Sequence, residues 1–109
     1  MSSLETLVYQ ELRAINHYFY LQYDLYFWQT ADKVEVDFIL YGPKGIIAIE
    51  VKRSSRVDVK DLRGLALFGK DYPEAKRFVF YGGKRREYLE GVQYIPIEEA
   101  LMTLSEILM

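Results

Sequence analysis

An aspartate at position 37, a glutamate at 50 and a lysine at 52 lie on two apolar segments joined by a short turn. Val34–Tyr41 and Ile46–Lys52 are rich in β-branched and aromatic residues. They flank Gly42-Pro43-Lys44-Gly45, which reads as a tight hairpin turn. If Gly42 pairs with Gly45, facing residues have numbers that sum to 87, so Asp37 faces Glu50 and Glu35 faces Lys52. Side chains alternate along a strand, which puts all four on one face. The other face reads Val34, Val36, Phe38 and Leu40 against Ile47, Ile49 and Val51, all apolar. Even the charged face turns apolar toward the turn, with Ile39, Tyr41, Ile46 and Ala48. The hairpin is then interior on both sides, except for one charged cluster at the end away from the turn.

Two carboxylates set across a strand pair repel each other, and burial sharpens the repulsion. A hard divalent cation relieves it, since Mg²⁺ or Mn²⁺ takes oxygen ligands and keeps several waters. Lys52 would sit beside that ion, where its ammonium orients or helps deprotonate an attacking water and offsets phosphate charge. The same residues also suit a salt-bridge cluster, Glu35 with Lys52 and Asp37 with an arginine. Spacing alone supports both.

The elements that position the cluster follow from patterning. Ser2 or Ser3 caps a helix running to about Asn16, with Leu4, Leu7, Val8, Leu12 and Ile15 on one stripe. Leu25–Thr30 reads as a first strand, ahead of the turn Ala31-Asp32-Lys33. Asp58 opens a second helix to about Phe68, with Val59, Leu62, Leu65 and Ala66 inward. Arg77–Tyr81 and Val92–Ile95 read as strands, and Pro96 precedes a last helix over Ile97–Leu108. The order is helix, three strands, helix, two strands, helix: a single α/β domain over residues 1–109.

Composition narrows the chemistry. There is no cysteine and one histidine, His17, so any metal must rest on oxygen ligands. No run of apolar residues is long enough to span a bilayer, and the first residues lack the basic start of a signal peptide, so a cytoplasmic protein without membrane contact is expected. No GxxxxGK[ST] string is present for nucleotide phosphates. The net charge of −2 conceals a strong asymmetry: residues 52–86 carry +7, between flanks of −4 and −5. Within that stretch Arg56, Lys60 and Arg63 recur at helical spacing, and Arg53 and the loop Lys84-Arg85-Arg86 add to them. These are candidate phosphate contacts, although a solvated helix face has the same pattern. Seven aromatics between Tyr18 and Trp28 suit core or interface packing, or stacking on unpaired bases.

The run Val34-Glu35-Val36-Asp37-Phe38-Ile39-Leu40, followed by Ile49-Glu50-Val51-Lys52, resembles motifs II and III of the PD-(D/E)XK nucleases. The proline of the family's name is absent, Val36 preceding Asp37. Glu5-Thr6-Leu7-Val8-Tyr9-Gln10-Glu11-Leu12 is similar to the family's first-helix motif, whose leading glutamate completes the metal site. Tyr26-Phe27-Trp28-Gln29-Thr30 and Asp61-Leu62-Arg63-Gly64-Leu65 narrow the resemblance further. They point to the nuclease-like domain of unknown function found C-terminal to the ATPase module of many prokaryotic AAA-type ATPases.

The resemblance implies a restriction-endonuclease-like αβββαβ core, a central mixed sheet flanked by helices. It also implies metal ligands Glu5, Asp37 and Glu50 and a catalytic Lys52; on the helix, Glu11 is a further candidate in place of Glu5. The expected function is a Mg²⁺- or Mn²⁺-dependent nuclease module, with DNA favoured over RNA, forming one part of a larger ATPase. The alternative is a nucleic-acid-binding or protein-interaction domain that keeps the fold without catalysis. Uncovered aromatics in so small a domain lead to the expectation of a homodimer.

Overall fold

The computed structural model describes residues 2–109 and shows a mixed α/β fold, one six-stranded mixed sheet flanked by helices. The elements are α1 (Ser3–Tyr18), β1 (Asp24–Gln29), β2 (Glu35–Gly42), β3 (Gly45–Lys52), α2 (Arg63–Asp71), β4 (Lys76–Tyr81), β5 (Glu87–Leu89), β6 (Val92–Pro96), α3 (Ile97–Met102) and α4 (Leu104–Leu108). The strand order is β1-β2-β3-β4-β6-β5. Pairing is antiparallel from β1 through β3, parallel from β3 to β4 and β4 to β6, and antiparallel between β6 and β5.

Ser2 caps α1, its hydroxyl oxygen accepting from the Glu5 amide at 3.1 Å, which satisfies a donor the first turn would otherwise leave free. Val8 and Leu12 are buried as the stripe requires, but Leu7 is 42% exposed, beyond the edge of the contact. In the last turn of the helix, Asn16 grips the backbone of Tyr23 in both directions, through Nδ2 to its carbonyl and from its amide to Oδ1, each at 2.9 Å. This side chain acts as a short stretch of strand and aims the chain into β1.

The central strands of the sheet are buried on both faces. One layer joins Val8 and Leu12 of α1, Phe38, Leu40, Ile47 and Ile49 of the hairpin, and Leu104 and Leu108 of α4. The other joins Val36, Ile39 and Ala48 to Leu65 and Phe68 of α2, with Val79 and Tyr94. Val36 therefore lies on the opposite face from Phe38 and Leu40, contrary to simple alternation. A β-bulge explains it: Tyr26 pairs with Ile39 and Trp28 with Val36, so β1 advances two residues while β2 advances three. The extra residue reverses the phase of β2 beyond Phe38.

Three other expectations change. The helix expected from Asp58 starts at Arg63, after a 3₁₀ turn over Val59–Leu62. Gly64 accounts for the phase, because a Cβ there would stand 1.9 Å from the carbonyl oxygen of Glu35. The helix presses on β2 at that glycine, so Gly64, Leu65 and Phe68 face inward, while Val59 is 86% exposed and Ala66 is also exposed. A further strand, β5, follows the basic loop as an exposed edge with no apolar alternation to announce it. The last helix breaks in two at Thr103, whose hydroxyl donates to the carbonyl of Glu99 at 2.8 Å. No helix among the described residues is long and apolar enough to cross a membrane.

Candidate functional site

The hairpin register is the one the glycines specify, Gly42 opposite Gly45 and onward to Phe38 opposite Ile49. There the ladder stops, one step short of Asp37 and Glu50. The bulge turns β2 away at this point, and amides that would continue the ladder need other acceptors. The two carboxylates provide them. The Asp37 amide donates to Glu50 Oε1 at 3.0 Å, and the Val51 amide donates to Asp37 Oδ2 at 2.8 Å. Asp37 and Glu50 thus converge in the fork between separating strands, rather than facing each other across a regular sheet.

Glu50 is only 6% exposed and Asp37 is half-buried. Burial above all, and then the negative charge of Asp37, pushes the Glu50 carboxyl up to about 8. Burial also raises Asp37, against the opposing pull of the Val51 amide and the Glu50 hydrogen bond. The two carboxyls titrate together as a pair, and burial favours its protonated form. Lys52 Nζ lies 4.0 Å from Glu50 Oε2, at the limit of an ion pair. It is held loosely.

Glu35 is not Lys52's partner. It pairs with Gln29 across β1, whose amide nitrogen donates to it at 3.2 Å, because the β2–β3 ladder ends before reaching Lys52. Glu5 lines a cleft with Asp37 and raises its pKa through charge, while accepting from the Ser2 hydroxyl at 3.2 Å. It does not close on the pair: among the described residues, no three His, Cys, Asp or Glu side chains group closely enough to hold a metal ion. Glu11 is exposed on α1.

The donor set suits a hard divalent cation. Asp37 and Glu50 each give one oxygen, Oδ2 and Oε1, to a backbone amide. All are hard carboxylate oxygens.

The basic residues divide into two groups. Arg53 and the loop Lys84-Arg85-Arg86 follow the C-terminal ends of the adjacent parallel strands β3 and β4. The loop is drawn against Arg53 at Gly82, whose amide donates to the Ser54 carbonyl at 3.0 Å. Arg86 is ion-paired to Glu99. The helical face expected from Arg56, Lys60 and Arg63 does not form, because Arg56 precedes the helix, Lys60 is in the 3₁₀ turn and only Arg63 begins α2. All three are exposed.

Sequence reasoning passed over Tyr9 and Arg13, which line hollows along α1 beside β1. The signal was present, since Glu5, Tyr9, Arg13 and His17 recur every four residues and share one side of the helix.

The fold and site define a small α/β domain with an acidic pair at the mouth of its central hairpin. The chain belongs to the family described as a domain of unknown function (DUF4143), whose profile matches residues 2–100. No curated protein and no solved structure matches it.

Proposed function

We propose that this domain is a metal-dependent nuclease module of the PD-(D/E)XK, restriction-endonuclease-like type. The observation that carries the reading is the convergence of Asp37 and Glu50 in the fork between β2 and β3, with Lys52 Nζ 4.0 Å from Glu50. Two carboxylates brought together at the cost of a raised pKa are more useful to a bound cation than to the apo fold. Mg²⁺ or Mn²⁺ bound there supplies Lewis-acid polarisation of a phosphoryl oxygen and a nucleophilic water at neutral pH. Asp37 and Glu50 would hold it, and Glu5 would take part through charge. Lys52 positions the attacking water and offsets charge on the phosphate. Arg53 and the Lys84–Arg86 loop lie at the same strand ends, where they support phosphates on either side. DNA is the favoured polymer.

The resemblance adds a setting in which this module sits beside the ATPase module of a larger protein. Tyr18 and Tyr20, 75% and 84% exposed at the end of α1, supply an apolar patch for a two-fold dimer. Sedimentation equilibrium showing a monomer throughout the micromolar range removes the dimer.

One observation favours a second reading. The carboxylates staple β2 to β3 through amides, a role that a non-catalytic nucleic-acid-binding or protein-interaction domain could equally use. Calorimetry with Mn²⁺, together with cleavage assays on single-stranded and duplex DNA, separates the two. Saturable binding lost in Asp37→Asn and Glu50→Gln supports the nuclease, and no binding by the parent chain supports the staple.

A further inference from the structure

Two hollows run along the junction of α1 and β1, of about 830 and 520 Å³. Both are lined by Tyr9 and Leu25, so they are halves of one groove. Its far half is bordered by Arg13, and its near half by Phe27 and Asp37. The groove therefore leads into the candidate site.

The walls are distinctive. Phe27, on the edge strand β1, shares the sheet face of Leu25 and is 60% exposed, while its neighbour Tyr26 pairs with Ile39 and turns to the opposite face. Tyr9 stacks on the buried Phe38 with centroids 6.1 Å apart, which fixes its ring. The Arg13 guanidinium lies 5.7 Å from the Tyr9 centroid, and among the described residues it pairs with no carboxylate.

We infer that this groove binds single-stranded nucleic acid, its bases stacked on Phe27 and Tyr9 and its backbone met by Arg13. Every base offers a π-face, and a guanidinium beside an aromatic ring serves both base and phosphate. A duplex keeps its bases stacked inward and offers chiefly phosphates, which the acidic end of the groove at Glu5, Glu35 and Asp37 repels. An unpaired base is neutral, and its N–H groups can approach those carboxylates. The inference deepens the nuclease reading, by naming single strands as the substrate class, but strand binding does not require metal.

The test is fluorescence anisotropy of a labelled oligothymidylate and of a hairpin duplex of equal length, with divalent ions chelated. Phe27→Ala is expected to weaken single-strand binding about 5- to 150-fold, the loss of one stacked base, while Tyr26→Ala, on the opposite face, leaves it at the parent value. Phe27→Tyr, which keeps a ring, restores it. Arg13→Gln lowers the log-log salt slope by about 0.7. Duplex affinity stays at the parent value throughout. Failure of the parent to bind the oligothymidylate, or equal affinity in all variants, overturns the inference. Mn²⁺ calorimetry on the same proteins separates the two readings: normal metal binding without strand binding sinks the groove alone, and strand binding without metal sinks only the nuclease.

Discussion

Asp37 and Glu50 are tied to each other's strands. The Asp37 amide donates to Glu50 Oε1, while Asp37 Oδ2 accepts from Val51, the residue after Glu50. The arrangement holds two acidic groups together in a largely dry place, and its consequences can be measured.

Stability of the metal-free chain should fall as pH rises. The folded state raises Glu50 from 4.5 to about 8, so the folded chain binds that proton more tightly than the unfolded chain. The resulting stabilisation is complete below about pH 4.5 and is lost by about pH 8. A tenfold change in proton affinity corresponds to about 1.4 kcal/mol, so the whole loss is at most a few kcal/mol. Thermal melts of the parent should show this fall and Glu50→Gln should be nearly flat. Equal slopes in both proteins would show that Glu50 is not the group responsible.

Lys52→Met should leave Mn²⁺ binding nearly intact while lowering cleavage by about 10²- to 10³-fold, the range for a lost group that stabilises developing charge. Paired calorimetry and single-turnover cleavage check this. A variant that cleaves like the parent removes Lys52 from the chemistry.

Gly64→Ala should destabilise the domain by about 1–3 kcal/mol or more. Its Cβ would meet the Glu35 carbonyl at 1.9 Å, and backbone on both sides has little room to give. Urea unfolding gives the number, and an unchanged midpoint would show that α2 does not press on β2 there.

Tyr23→Phe should cost about 1–3 kcal/mol, because the Tyr23 hydroxyl donates to the Leu108 carbonyl at 2.7 Å in a buried setting. Hydrogen exchange should show the α4 amides exchanging faster than those of α1. Uniform protection would mean that the bond does not anchor the C-terminal helix.

Much of the hairpin was legible because its signals are local. Gly42 and Gly45 specify the register, and the apolar runs on either side specify two buried faces, as found. The lone charged cluster at the open end of that hairpin singled out Asp37 and Glu50, and the structure does bring them together. The four-residue recurrence of Glu5, Tyr9, Arg13 and His17 was equally readable, though only the groove gives it meaning.

The tertiary structure alone decided where regular pairing stops. The bulge opposite Phe27 depends on β1 docking beside β2, a contact between separate elements, and no pattern within Val34–Leu40 reveals it. It moved Val36 to the other face, separated Glu35 from Lys52 and left the amides for Asp37 and Glu50 to satisfy. The phase of α2 was likewise set by contact at Gly64 rather than by the capping pattern at Asp58, which dispersed Arg56, Lys60 and Arg63. Periodicity along a chain records which side of an element is apolar. Where two elements touch, and what their close approach forces out of register, depends on residues distant in sequence.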